Sequence, residues 1–207
     1  VMAGLESPIL SQYKTFEDLY SEYKRQLLRV IDITVETVNR FEGYLSEINP
    51  LSLLSATFPS CLEKAKDAIG GGGSRNSSCL MFGFLGDITD SLMMIKKYVY
   101  EKKELTLDEL VSTLDKNFEG SEILRRKLLS DREKWGNNKE RPDAIAADLV
   151  NFITDHICGR ANSRDGAWNC GFHAARMSYT QAEKTAASAN GRLRGEELSK
   201  NVSASMG

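Results

Sequence analysis

NPLSLLSATFPSCLEKAKDAIGGGGSRNSSCLMFGFLGDITD, residues 49 to 90, holds in one run a proline turn, a capped helix, a four-glycine break and a stretch of small, apolar and hydroxyl residues. Pro59 and Ser60 predict a helix start. Ser60 would accept from the N–H three residues on, and Glu63 would reach back to the Ser60 N–H. Gly70 predicts its end, since glycine takes the left-handed conformation without a Cβ clash. Gly70 to Gly73 is three more glycines than a cap needs, so a second role is expected of them. Successive bare N–H groups can cradle a phosphate. This run follows a helix and lacks the Lys and Ser/Thr of a P-loop, so tight turning and close backbone contact are the simpler reading.

Outward from this stretch the pattern is mainly helical. On the N-terminal side, Thr15 and Asp18 form a cap pair. Phe16, Leu19, Tyr20, Tyr23, Leu27, Val30, Ile31, Thr34, Val38, Phe41 and Leu45 then recur every three or four residues, one apolar stripe of a long helix whose aromatics read as core. On the C-terminal side, Asp87 or Thr89 is expected to cap a helix through Tyr100, and the close pair Asp87 and Asp90 reads as capping by acidic residues at a helix N-terminus. Thr106 and Glu109 form a capping box for a helix that buries Leu107, Leu110, Val111 and Leu114 and ends at Gly120. Residues 121 to 130 read as a short helix with Ile123, Leu124, Leu128 and Leu129 inward. The run DREKWGNNKER is polar and reads as an exposed connector. Pro142 opens a helix that buries Ile145, Leu149, Phe152 and Ile153. Extended pieces are expected near Leu80 to Leu85, near Trp168 to Met177 and at the C-terminus, and Asn190 with Gly191 marks a turn.

Composition excludes several classes. With 207 residues, 41% of them hydrophobic, the chain can build a core of its own. A net charge of -2 with 27% charged residues gives no one-signed field for nucleic acid or an anionic membrane. No apolar run approaches the roughly 18 residues of a membrane span, and no signal peptide is visible, so the cytoplasm is the expected compartment. Cys61, Cys79, Cys158 and Cys170 read as reduced thiols. His156, Cys158, Cys170 and His173 are zinc-type ligands that could close a tetrahedral site. His156 and Cys158, two apart on a helix, point to different faces, so buried unmetallated thiols are the plainer reading. Asn162, Arg164 and Asp165 form a loop rich in hydrogen-bonding groups, functional or simply a turn. No triad or catalytic carboxylate pair can be placed.

Taken together, NPLSLLSATFPSCLEKAKDAIGGGGSRNSS, GDITDSLMMIKKYVYEKKELTLDELVSTLDKNFEGSEILRRKLL, KWGNNKERPDAIAADLV and the tail ANGRLRGEELSKNVSASMG closely resemble glycyl-radical enzymes of the pyruvate formate-lyase family. The matching positions are Gly72 to Asn76, Thr89 to Leu92, Leu105 to Leu110, Asn117 to Gly120 and Trp135 to Asn138. Ala189 and Asn190 stand in place of the Pro-Asp of the family's Pro-Asp-Gly-Arg segment. The resemblance implies an α/β protein. Residues 1–207 would be a mainly helical, partial domain, from the middle to the C-terminal part of a ten-stranded α/β barrel. It also implies hydrogen abstraction by a thiyl radical followed by C–C, C–O, C–N or C–S cleavage, in a dehydratase, a lyase or a formate C-acetyltransferase. The radical-bearing cysteine and glycine loops would lie before Val1 and after Gly207, so this chain would hold no catalytic residue, cofactor or metal and would be inert alone. Full-length relatives carry a glycyl radical installed by a radical SAM activating enzyme and act as homodimers on small-molecule substrates. Ser203, Ser205 and Met206 match the stretch that faces substrate. The alternatives are a non-catalytic helical binding module that keeps the scaffold, and a zinc-binding protein.

Overall fold

The computed structural model describes residues 8–173, 176–200 and 202–204. Eight α-helices are present among them: α1 (Phe16–Ile48), α2 (Ser52–Ser55), α3 (Pro59–Lys64), α4 (Leu85–Ile95), α5 (Leu107–Asp115), α6 (Glu122–Ser130), α7 (Glu140–Ile157) and α8 (Met177–Thr180). Two strands, β1 (Ser78–Phe82) and β2 (Trp168–Phe172), form one sheet. Ser78 N–H bonds to Ala167 O at one end and His173 N–H to Phe82 O at the other, so the strands run parallel. The described part of the C-terminus is turn and bend rather than strand. No helix among the described residues is long and apolar enough to cross a membrane.

The chain forms two compact units. Among the described residues the first comprises Arg25–Leu80 and Phe152–Gly171, and the second residues 8–24, Met81–Asn151, 172–173, 176–200 and 202–204. Their boundaries fall inside α1, α7 and both strands.

In the first unit the α1 stripe changes character. Ile31 and Val35 are buried, but one and two turns further on the same face carries Asn39 and Glu42. Asn39 Oδ1 accepts from Trp168 Nε1 at 3.0 Å, and Glu42 accepts from Ser78 Oγ at 2.7 Å and pairs with Arg164 at 3.3 Å. Val30 and Phe41, expected in the core, are exposed, Phe41 by 59%.

α3 starts two residues earlier than the cap pattern predicts. Phe58 is its N-cap without a side-chain bond, and Pro59 sits in the first turn with its fixed φ, which leaves Ser60 inside the helix. The helix ends at Lys64, where Ala65 takes φ 47°, so Gly70 is not its stop. The glycines serve close approach instead. A Cβ on Gly72 would sit 2.0 Å from Lys66 O and 2.9 Å from Cys61 Sγ, and one on Gly71, at φ +99°, would sit 2.8 Å from Arg164 O. The space bared at Gly71 and Gly72 is thus taken up by the backbone of Arg164 and Lys66, and close backbone contact is the role these two glycines serve.

In the second unit Phe16, Leu85, Leu92, Met93, Met94, Tyr98, Phe118, Leu128, Ile145, Leu149 and Ala187 form one core, with Tyr20 and Tyr23 packed against it. The Thr15–Asp18 pair and the Thr106–Glu109 capping box form as predicted. α5 ends at Asp115 rather than near Gly120. Asn117 and Phe118 take left-handed φ values, and this early turn buries Phe118 to 2%. Val111 and Ile123, expected inward, are exposed. α4 widens into a π turn at Lys96–Glu101, which places Lys97 and Tyr98 on Asp131. Lys97 Nζ lies 2.7 Å and Tyr98 Oη 2.7 Å from its carboxylate. Burial works to raise the Asp131 pKa, but the bonds from Lys97 and Tyr98 outweigh it and hold the carboxyl below its usual range.

Two stability predictions follow from these contacts. Gly72→Ala should cost about 2–3 kcal/mol in a urea titration because backbone must move, whereas Gly43→Ala, with nothing within 4 Å, should be neutral or stabilise α1 by up to about 1 kcal/mol. Asp131→Asn should cost about 1–2 kcal/mol at neutral pH, because the neutral amide has one acceptor oxygen for the two donors Lys97 and Tyr98, while Lys97 keeps Glu133 at 2.9 Å. Since the folded pKa of Asp131 is depressed, its contribution is present above the unfolded value and is lost as pH falls through the folded one. The gap between wild type and variant should therefore close in acid.

Candidate functional site

The site is assembled from the first turn of α4 and the C-terminal tail, both in the second unit. Phe84 precedes α4 with φ 66° and no side-chain cap, and Asp87 and Asp90 in the helix are buried to 4% and 0% exposure. They do not cap. Asp87 Oδ1 accepts from Asn190 Nδ2 at 2.9 Å, its Oδ2 accepts from Ser199 N at 2.6 Å, and its own N–H donates to Ser199 Oγ at 3.3 Å. Asp90 accepts from Trp135 N at 2.8 Å. A buried carboxylate is tolerated only where donors surround it, and here the tail supplies them.

Asn190 is fully buried. Its Oδ1 accepts from Ser188 Oγ at 2.7 Å and Arg192 N at 3.2 Å, and its carbonyl accepts from Lys134 Nζ at 3.0 Å. Gly191 turns at φ +99° against Leu129, a Cβ there lying 2.9 Å from Leu129 Cγ. Arg192, 1% exposed, folds back onto the carbonyls of Leu193 and Glu196, each at 2.9 Å, and that of Ala186. Lys134 stands in the run expected to be an exposed connector, yet it is completely buried. Burial lowers its pKa, opposed by the charges of Asp90, Asp131 and Asp87. Nothing in the polarity of that run could have revealed this.

Beside Asp87 is a cavity of about 330 Å³, lined also by Glu197, Leu198, Ser199, Lys200, Ser203 and Ala204. Ser203 is exposed at its rim, with its N–H on Lys200 O at 2.9 Å. Lys200 pairs with Glu197 at 2.6 Å and donates to Tyr179 Oη at 2.9 Å, and the Glu197 carboxylate holds its ammonium above the usual range. Such a wall offers hydroxyl, carboxylate and ammonium groups to a small polar molecule. Ser205 and Met206 lie outside the described residues.

A family model described as pyruvate formate lyase-like matches residues 2–180. The chain belongs to the pyruvate formate lyase-like family. It is 30% identical over 204 residues, 99% of its length, to trans-4-hydroxy-L-proline dehydratase of Clostridioides difficile, of which it covers 26%. The crystal structure of hydroxyproline dehydratase from that organism, with trans-4-hydroxy-L-proline bound, superposes with a TM-score of 0.89 and 31% identity over 95% of this chain and 25% of that one. A glycyl radical enzyme from Archaeoglobus fulgidus gives a TM-score of 0.88 at 27% identity over 99% of this chain and 26% of that one. The chain thus spans about a quarter of the length of the relatives it matches, and its mainly helical fold is that of the corresponding part of their α/β barrel.

Against this family background the other sites predicted from the sequence resolve. His156 Nδ1 lies 2.6 Å from Phe152 O, and Cys158 and Cys170 face one another, so the zinc quartet is not assembled. Among the described residues no group of three His, Cys, Asp or Glu could hold a metal ion. Asn162, Arg164 and Asp165 are a structural hub of the first unit. Asn162 Oδ1 accepts from Arg164 N and Gly166 N, Arg164 pairs with Glu42, and Asp165 pairs with Lys66 at 2.9 Å. None of the four cysteines is in a disulfide.

The Asp87–Asn190 bond makes the tail's departure from the family's Pro-Asp-Gly-Arg segment testable. Asn190→Asp would set two carboxylates 2.9 Å apart, and at pH 7 should cost about 2–3 kcal/mol. The shared proton raises a folded pKa, so the cost should be small below about pH 4 and grow as pH rises, measured by urea titrations across pH.

Proposed function

We propose that this chain belongs to a glycyl-radical dehydratase or lyase and builds part of its barrel scaffold together with one substrate-facing wall. The observation that carries this reading is the identity of 30% that runs over 204 residues to a dehydratase, with a matching backbone. Residues 1–207 form the middle to C-terminal part of the pyruvate formate-lyase-like domain. Dehydratase or lyase chemistry is preferred to formate acetyl transfer because the similar proteins include two dehydratases and an isethionate sulfite-lyase.

The residues of this chain do not fit a glycyl radical and its thiyl partner. Cys61 is packed against Gly72, Cys79 is exposed on β1, Cys158 and Cys170 face each other, and none lines the Ser203 cavity. No radical step is therefore assigned to them. When present in the whole protein, the radical would supply hydrogen abstraction from substrate. This chain binds and orients. The Ser203 hydroxyl hydrogen-bonds a polar group of the substrate, Ser205 and Met206 are assigned the same substrate-binding role by the family resemblance alone, and Asp87 fixes the tail through Asn190 and Ser199. A closed wall also keeps water from reactive intermediates. On this reading the whole protein is a homodimer activated by a radical SAM enzyme.

The test is anaerobic activation of the whole gene product, followed by assays on small hydroxylated and sulfonated compounds. Elimination of water or sulfite, with an organic radical signal, is expected. Ser203→Ala should raise KM roughly 2- to 10-fold, the worth of one hydrogen bond, and Ser203→Leu, which fills the cavity, should lower kcat/KM further at unchanged radical content. Turnover with KM indifferent to both changes would remove Ser203 from the site. Binding without radical or turnover would favour the helical binding module.

A further inference from the structure

Two thiols of the first unit meet where α7 gives way to β2. Cys158 follows α7 directly and is exposed, Cys170 lies on β2, and their sulfurs are 3.8 Å apart. Backbone bonds hold them there. Cys158 N donates to Thr154 O at 2.9 Å, Gly159 N to Trp168 O at 3.0 Å and Trp168 N to Arg160 O at 2.8 Å, and Ala161 bridges Ala167 in antiparallel fashion. Asn162 closes the turn between them, and Trp168, 1% exposed, anchors the strand through Nε1 to Asn39. A disulfide needs a sulfur separation of about 2 Å, and rotation about the side-chain torsions brings facing sulfurs together. Neither sulfur has the third ligand a metal would require.

We propose that Cys158 and Cys170 are a redox-active dithiol that a small-molecule disulfide converts to an intramolecular disulfide. The Cys158 thiolate attacks one sulfur of the reagent, the reagent's S–S bond breaks, and one reagent thiolate leaves. Cys170 then attacks the Cys158 sulfur and expels the second. The two cysteines lose two electrons in all, the reagent gains them, and the two thiol protons end on its two released thiols. The order of attack follows from exposure. Burial, and after it the hydrogen bond with Cys158, push the Cys170 thiol up to about 11, which suits it to resolve rather than to attack first. The product would tie the end of α7 to β2 and lock the turn that carries Asn162.

The test is oxidised glutathione on the reduced whole gene product, followed by alkylation, trypsin and mass spectrometry without reduction. Trypsin cuts after Arg160 and Arg164, so the Cys158 and Cys170 peptides stay joined only by a disulfide. The expected result is loss of alkylation at Cys158 and Cys170, a linked Cys158–Cys170 peptide, a monomer-sized band on a denaturing non-reducing gel, and recovery with a reduced dithiol. Cys158→Ala should abolish the link while leaving the chain folded by circular dichroism, and Cys170→Ser should stop the reaction at a glutathione adduct on Cys158. Alkylated Cys158 and Cys170 after oxidation, a link through Cys79, a stable Cys158 adduct in the wild type, or a disulfide between chains would each overturn the proposal.

Discussion

Asp87 is a charge taken out of water, and the tail of the second unit is folded around that fact. A carboxylate at 4% exposure must be met by donors, and the side chain of Asn190 and the N–H of Ser199 meet it. These two bonds pin residues more than one hundred positions away in sequence onto the first turn of α4. The turn at Asn190 and Gly191 in turn gives Lys134 the Asn190 carbonyl, and Arg192 just beyond it is buried on the carbonyls of Ala186, Leu193 and Glu196. Each polar group in this cluster is affordable only because the others are present. The segment carrying Ser203 leaves from Ser199, so the rim of the cavity is positioned by the same carboxylate.

The first unit is governed by a different constraint, backbone lying against backbone. Gly72 against Lys66, Gly71 against Arg164 and Gly166 against Asn76, where a Cβ would come within 1.9 Å of a carbonyl oxygen, leave no room for side chains. Asn162 satisfies the polar groups that such contact exposes, accepting from two N–H groups and donating to Asn76 O and Ser78 Oγ. The same rigid turn holds the two thiols of Cys158 and Cys170 in register.

Family relationship and local architecture meet in the tail. The resemblance to glycyl-radical enzymes rests on short motifs in fixed order, and those motifs prove to be the capping box, the α4 start and the buried turn. Their residue types are those the packing demands. Where this chain departs from the family's pattern, at Asn190, the departure places an amide rather than a second carboxylate on Asp87.

Local signals in the sequence determined most helices and two of their caps. The capping boxes at Thr15 and Thr106 act over three residues, and the stripes of α1 and α7 are set by helical period. Motif order also determined the family, and with it the α/β barrel that two strands among the described residues could not have announced. What only the tertiary structure decided were matters of long-range partnership. The inward turn of Asn39 and Glu42, the early ends of α3 and α5, the burial of Lys134 and the conversion of Asp87 from expected cap to anchor all depend on residues distant in sequence. A charge reads as solvated until the structure shows which donors enclose it, and a glycine run reads as a turn until it shows which backbone lies against it.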